Sequence, residues 1–290
     1  MAYKAYMKDL FGVEYLPKVN LTLAEVSIKA QKMVGKLSIS GIQPKLSMEL
    51  NRKNRELEVV SEGGKYILKP QVPTFPNLPQ NENLCMSIAS NMGIDAPPHS
   101  LLKLKDNSWA YVVKRFDRDK EGKMHQEDFF QILGKKDRYQ GSLEEIGKKL
   151  SQISEIPGLD VQFFYERVLF FFIIGNGDAH LKNFSIVYNK FGHIRLSPAY
   201  DIVSSKLVIP EEEDFALSMN GKRNKITGND FNKFLTFLKI PNKEINRKFL
   251  DKEDLIRGFI KDSELDKDQK ERLSGIVRER LSRLKNLIIQ

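Results

Sequence analysis

Ile173-Ile174-Gly175-Asn176-Gly177-Asp178-Ala179-His180-Leu181-Lys182-Asn183-Phe184-Ser185-Ile186-Val187 is the stretch on which the fold of this chain turns. An apolar run ends in a glycine-flanked polar turn, and β-like residues follow at once. Asp178 precedes Asn183 by five positions, and another aspartate, Asp201, follows 23 positions after Asp178 in Leu196-Ser197-Pro198-Ala199-Tyr200-Asp201. Phosphoryl transfer asks little covalent chemistry of a protein. It needs oxygens fixed around Mg²⁺ and a carboxylate beside the nucleophile, and Asp178, Asn183 and Asp201 carry those groups. Asp and Asn are also common in ordinary loops, so structural capping stays open as the other explanation. Burying a helix end that carries Asp178 and His180 is nevertheless costly without a metal or nucleotide to justify it.

Working outward, the Asp-to-Asn spacing is that of a kinase catalytic loop, and the front of the chain has parts in a matching order. Leu37 to Leu50 reads as a loop, Ser38 to Lys45, flanked by strand-like residues. Asn51 to Arg55 reads as a hairpin turn, and Lys65-Tyr66-Ile67-Leu68-Lys69 as a strand after Gly63-Gly64. A loop over phosphates followed by a strand lysine is the arrangement of a kinase small lobe. Lys69 on an apolar strand points to function, because lysine is rarely buried unless paired; the alternative is an edge lysine with its head in water. Glu82 is a candidate partner for it, or else a solvated carboxylate favoured at a helix start. The Ser38–Lys45 loop is not a Walker motif and has only Gly41 where a kinase loop has several glycines.

Helices are expected over Thr22–Met33 and Glu82–Met92, the latter stopped by Gly93, with Pro70–Pro79 non-helical between them. Leu101–Leu104 and Trp109–Asp117 read as strands. Ser142-Leu143-Glu144-Glu145 fits a capping box. Phe163–Ile174 is apolar nearly all round and should be deeply buried. A hairpin is expected around Asn189–His193, an acidic loop at Glu211–Asp214, and helices over 228–238, 254–260 and 269–288. The last of these should turn Leu273, Ile276, Val277, Leu284 and Ile288 inward, and Lys270, Arg272, Arg278, Arg283 and Lys285 outward.

Composition excludes several classes. The chain has 290 residues, 41% hydrophobic and 29% charged, ordinary for a water-soluble protein large enough for two lobes. Its longest strongly apolar run, Val168–Ile174, is far short of the roughly 20 residues that span a bilayer, and no signal-peptide core opens it. A single cysteine, Cys85, excludes an internal disulfide and a cysteine-built zinc site, so the expected location is cytoplasmic. Four histidines without an H-x-x-x-H pair argue against a zinc hydrolase. No G-x-S-x-G elbow supports a serine hydrolase. The net charge of +9 favours anionic partners, or is simply a solvated basic surface. His180 is open to metal, general-base and structural roles; a structural hydrogen-bonding role, orienting the loop, is the preferred one.

Seven stretches together resemble the HipA family of bacterial serine/threonine protein kinases, the toxins of toxin–antitoxin systems. They are Ser38-Ile-Ser-Gly-Ile-Gln-Pro-Lys45, Tyr66-Ile-Leu-Lys-Pro70, Val113-Lys-Arg-Phe-Asp-Arg118, Gln126-Glu-Asp-Phe-Phe-Gln131, Asn176-Gly-Asp-Ala-His-Leu-Lys-Asn-Phe184, Ser197-Pro-Ala-Tyr-Asp201 and Phe215-Ala-Leu-Ser-Met-Asn-Gly221. They come in the family's order. The resemblance implies Mg²⁺- and ATP-dependent phosphorylation of protein serine or threonine, with Asp178 catalytic, Asn183 and Asp201 holding Mg²⁺, and Lys69 on the ATP phosphates. It places Lys114, Arg115 and Phe116 beside the adenine. Ser40, Gly41, Ile42, Gln43, Pro44 and Lys45 fall in the phosphate-covering loop, and His180, Leu181, Lys182 and Tyr200 beside the nucleotide. Ser38 and Ser40 are the implied self-phosphorylation sites, where nearly two added negative charges would repel the nucleotide phosphates.

Two departures stand out within the motifs: Ala179 where the family often has Arg, and Pro44 where an acidic residue is common. Full-length members also carry a longer segment before this loop, so the chain is expected to be the short HipT type, with a separate HipS-like small protein as partner. A HipB-like DNA-binding antitoxin is the other implied partner, through which alone DNA contact is expected, and no membrane contact is expected. The implied substrate is an aminoacyl-tRNA synthetase. The expected fold is α+β, two-lobed and kinase-like, with a β-rich small lobe over 1–116, a mainly helical lobe over 117–290, and Mg²⁺–ATP between them. The competing class is a catalytically inactive nucleotide-binding repressor or partner-binding subunit, with a small-molecule kinase as a further alternative.

Overall fold

The computed structural model describes residues 2–34, 43–118, 122–241 and 243–287, so Ser38, Ser40, Gly41 and Ile42 lie outside the described residues. The chain divides into two compact units, Met1–Asn83 with Pro97–Lys123, and Leu84–Ala96 with Met124–Gln290.

The first unit holds α1 (Ala2–Phe11), α2 (Leu23–Val34), β1 (Leu46–Asn51), β2 (Glu56–Val59), β3 (Tyr66–Pro70), the beginning of α3 (Leu78–Asn91), β4 (His99–Lys103) and β5 (Trp109–Lys114). Its described strands form an antiparallel sheet in the order β2-β1-β3-β5-β4. Strand alternation assigns the faces. Tyr66 and Leu68 of β3, with Ala110 and Val112 of β5, join Met7, Leu10 and Phe11 of α1 and Val26 and Ala30 of α2 in one buried core. Lys69 is therefore turned to the opposite face. The helix α1 was not expected, since its sequence has no strong start signal; it is held by the apolar residues it presents to the sheet. The helix α3 begins at Leu78 rather than Glu82, with Pro79 in its first turn, where a missing N–H leaves no hydrogen bond broken. The strand expected over Trp109–Asp117 stops at Lys114.

The second unit continues with β6 (Gln126–Asp128), α4 (Phe129–Ile132), α5 (Leu143–Ile153), α6 (Pro157–Ile174), β7 (Ser185–Tyr188), β8 (Ile194–Leu196), α7 (Ser205–Val208), α8 (Gly228–Phe237), α9 (Arg247–Leu250), α10 (Glu253–Asp262) and α11 (Lys267–Arg283). The Ser142 capping box is present on α5. The central helix α6 starts earlier than expected, with Pro157 opening it, and from Phe164 to Ile174 every residue is buried. Phe163, expected inside, is 38% exposed. Phe164, Phe171 and Phe172 meet Phe184, Phe215, Phe231 and Phe234 in a ring-on-ring core. Arg283 of α11, expected outward, bonds instead to buried Asp214, as does Arg280. Burial would raise the Asp214 carboxyl, but the hydrogen bonds from both arginines and from Ile226 N–H hold it below the ordinary carboxylate value. Among the described residues no helix is long and apolar enough to cross a membrane.

Candidate functional site

In the first unit, Lys69 lies on β3 opposite Tyr111 of β5. Its Nζ is 2.6 Å from Oε1 of Glu82 in α3, and the two side chains are 7% and 2% exposed. The solvated-carboxylate alternative for Glu82 is thereby corrected: α3 starts early enough to bring Glu82 over the sheet face that Lys69 occupies. The ammonium is also 5.7 Å from the Tyr111 ring centroid. Gln43 Nε2 donates to Pro70 O at 2.7 Å, tying the start of the following strand segment to the end of β3. Pro44 is half-buried and Lys45 exposed. The charged groups of Lys114 and Arg115 are engaged within their own unit. Lys114 Nζ donates to Asp9 O at 2.7 Å, and Arg115 clasps Asp117 at 2.9 and 2.7 Å. Burial would raise the Asp117 carboxyl, but hydrogen bonds and charge from Arg115 and Arg118 bring it below its ordinary value.

In the second unit, α6 ends at Gly175, whose φ of 70° is the left-handed conformation that terminates a helix. The chain then turns through Asn176 and Gly177 and sets Asp178 outward, exposed between buried neighbours. Asp178 Oδ1 accepts from Tyr139 OH at 3.0 Å. The N–H groups of Gly177 and Asp178 both donate to Ser205 Oγ, at 2.8 and 3.1 Å. Ser205 in turn donates to Glu212 Oε2 at 2.5 Å. A methyl at position 177 would meet Glu212 Oε2 and Glu213 O, each at 2.5 Å, so only glycine fits.

The Asp-to-Asn segment closes on itself: His180 N–H donates to Asn183 Oδ1 at 3.0 Å. The His180 ring lies edge-on to Tyr139 at 5.3 Å. Burial holds its pKa below the ordinary value, against the pull of Asp178 and Asp201 toward the charged form. Both carboxylates thus act on one imidazole, which stays neutral near pH 7 and whose buried Nδ1 has no hydrogen-bond partner among the described residues. Leu181 is fully buried and donates its N–H to Arg138 O at 3.1 Å, so its side chain serves packing. Lys182 is exposed, its Nζ 4.8 Å from the Phe130 ring. Tyr200 OH donates to Lys182 O at 2.8 Å and bonds to Ser185 Oγ, which links the segment before Asp201 to the turn at Asn183. Arg167 of α6 braces that segment by donating to Ser197 O at 2.6 Å.

Asp201 has φ of 58°, a left-handed conformation costly for a residue with a Cβ and concentrated at functional sites. With Asn183 it offers a carboxylate and a carboxamide, the hard oxygen donors that Mg²⁺ takes, so the donor chemistry fits that ion. Among the described residues, no group of three or more His, Cys, Asp or Glu is arranged to hold a metal. Tyr139, Ser205 and Glu212 were not legible as site residues, because no spacing pattern marks them.

A family model described as the HipA-like C-terminal domain matches residues 37–262. A Haemophilus influenzae protein provisionally named a kinase is 36% identical over 193 residues, 62% of this chain and 55% of its own. The chain spans about half the length of the curated relatives it matches. Among solved structures, HipA of Shewanella oneidensis, determined with HipB and operator DNA, aligns with a TM-score of 0.70 at 22% identity, covering 86% of this chain and 64% of that one. The Helicobacter pylori proinflammatory kinase CtkA aligns with a TM-score of 0.58 at 16% identity, covering 83% and 94%. At these identities the likeness is one of fold, and the fold is the α+β, kinase-like, HipA-type one expected from the sequence.

Proposed function

Because this chain belongs to the HipA-like C-terminal domain family, we propose that it transfers the γ-phosphoryl group of ATP to serine or threonine of a protein. The observation that carries this proposal is the buried Lys69–Glu82 ion pair. Taking a lysine and a glutamate out of water costs several kcal/mol per ion, which their pairing offsets only in part, and holding nucleotide phosphates is the use a strand lysine paired to a helix glutamate has in kinases.

Asp178 is assigned the substrate hydroxyl. Its Oδ1 is engaged by Tyr139, and Oδ2 would accept the proton as the hydroxyl oxygen attacks phosphorus. Asn183 and Asp201 would hold Mg²⁺. When bound, that ion neutralises charge on the transferring phosphoryl group. Asn183 also fixes the His180 backbone, and the neutral His180 ring packs behind Tyr139, so the turn that carries Asp178 is stiff before substrate arrives. Gln43, Pro44 and Lys45 are assigned to the phosphate-covering loop, with Ser38 and Ser40 as self-phosphorylation sites. A HipB-like antitoxin as partner and an aminoacyl-tRNA synthetase as substrate are the finer parts of the proposal, drawn from the family.

Transfer of labelled phosphate from ATP to proteins of a cell lysate, followed by identification of the labelled chain, tests this directly. Asp178→Asn and Asp201→Asn should each lose self-phosphorylation and lysate labelling while unfolding at the wild-type temperature. A folded Asp178→Asn protein with full activity would overturn the assignment. Mass spectrometry after incubation with ATP should find phosphate on Ser38 or Ser40.

A further inference from the structure

We propose that Ser205 and Glu212 are positioning residues for phosphoryl transfer, which hold the Gly177–Asp178 turn in its working geometry through one hydroxyl whose orientation Glu212 sets. The inference rests on the assignment of Asp178 to the substrate hydroxyl.

A serine hydroxyl has one hydrogen and two lone pairs. Here the hydrogen goes to Glu212 Oε2 at 2.5 Å, and both lone pairs face the turn, accepting Gly177 N–H at 2.8 Å and Asp178 N–H at 3.1 Å. That allotment requires an oxygen of Glu212 that accepts. Protonation leaves one oxygen of the carboxyl able to accept, but a neutral acceptor holds the Ser205 hydrogen less strongly than a charged one. A proton on Oε2 would compete for a Ser205 lone pair and turn the hydroxyl hydrogen toward Gly175 O, which lies 3.4 Å away. One N–H of the turn then loses its acceptor.

The Glu212 segment is anchored on both sides. Lys206 Nζ donates to Glu212 O at 2.6 Å, and Asp214, two residues on, is gripped by Arg280 and Arg283. The contact of Glu212 Oε2 with the Cβ position of Gly177 leaves no slack between the segment and the turn. The charged groups facing Glu212 are Asp178 from the turn, Lys206 from α7 and Arg280 from α11, with Glu211 and Glu213 beside it in the chain. Burial raises the Glu212 carboxyl to about 7, the Ser205 hydrogen bond opposes this, Asp178 adds to it, and Lys206 and Arg280 oppose it. The group therefore changes state within the physiological range.

The test measures kcat and KM for ATP on the full chain between about pH 6 and pH 8, where a controlling group with a pKa near 7 gives about a tenfold change. Wild type should lose about tenfold in kcat at the acid end. Glu212→Gln, whose amide oxygen accepts from Ser205 at every pH, should lose that slope. Titration of ATP and His180 is common to both proteins and cancels in the comparison. Ser205→Ala should lower kcat by about ten- to a hundredfold, the range for a slightly misplaced reacting group, with KM for ATP unchanged. A Glu212→Gln slope equal to that of wild type, or a Ser205→Ala protein with wild-type kcat, overturns the inference. An active Asp178→Asn protein would instead overturn the parent assignment, so the two failures are distinguishable.

Discussion

The phenol of Tyr139 donates a hydrogen bond to the carboxylate of Asp178 across 39 residues of sequence, at 3.0 Å. Burial raises the Tyr139 pKa, and the Asp178 charge and hydrogen bond raise it further, so the phenol keeps its proton and remains the donor. A hydrogen bond to an exposed charged group contributes about 1–2 kcal/mol. Tyr139→Phe should therefore lower kcat by about tenfold, with the edge contact to His180 and the unfolding temperature retained. Steady-state kinetics beside a thermal melt check this, and an unchanged kcat would remove Tyr139 from the site.

The Lys69–Glu82 pair should behave as a buried ion pair. Glu82→Ala removes the carboxylate 2.6 Å from the buried Lys69 ammonium and should destabilise the fold by about 3–5 kcal/mol. The double replacement Lys69→Met with Glu82→Leu should recover most of that loss, because neither charge then has to be desolvated. Denaturant unfolding of the two single variants and the double variant gives the cycle. The double variant should also lose the thermal shift caused by Mg²⁺–ATP.

Glu212 makes a prediction about stability with a defined sign. Its folded pKa, about 7, lies above its ordinary value. The proton it holds in the folded state stabilises the fold fully below the ordinary glutamate pKa, and that contribution is lost as pH rises to about 7. Glu212→Gln should therefore melt close to wild type at pH 5 and above wild type at pH 8. The ionised carboxylate that suits the turn is the form that burdens the fold, a trade between stability and activity. Melting curves at the two pH values decide it.

Gly177→Ala should abolish most activity and destabilise by about 1–3 kcal/mol, since its Cβ would overlap the backbone oxygen of Glu213 at 2.5 Å. Gly158 is the control. It lies near the start of α6 with nothing within 4 Å of the added methyl, and an alanine there should be neutral or stabilise by up to about 1 kcal/mol. Comparing the two variants by thermal melt and phosphate transfer separates turn geometry from loss of glycine flexibility.

Local patterns were enough for much of this protein. The alternation in Tyr66-Ile-Leu-Lys69, the Ser142 capping box, the apolar run before Gly175 and the Asp178-to-Asn183 spacing all depend on residues close together in the chain, where period and steric preference act directly. The helix α1, the early start of α3 and the inward turn of Arg283 were not legible. Of these, α3 starts on Asn77, which accepts from Asn81 N–H and Gln80 Nε2, while the first and last are decided by distant partners, the sheet core and Asp214. The same holds for the supports of the candidate site. Tyr139, Ser205 and Glu212 come from three separate segments, and a hydrogen bond between residues 27 or 39 apart leaves no periodicity to read. Sequence by itself determined which groups are candidates for the chemistry and which faces are apolar. Only the tertiary structure decided which side chains hold those groups in place, because such contacts depend on where packing brings distant segments together.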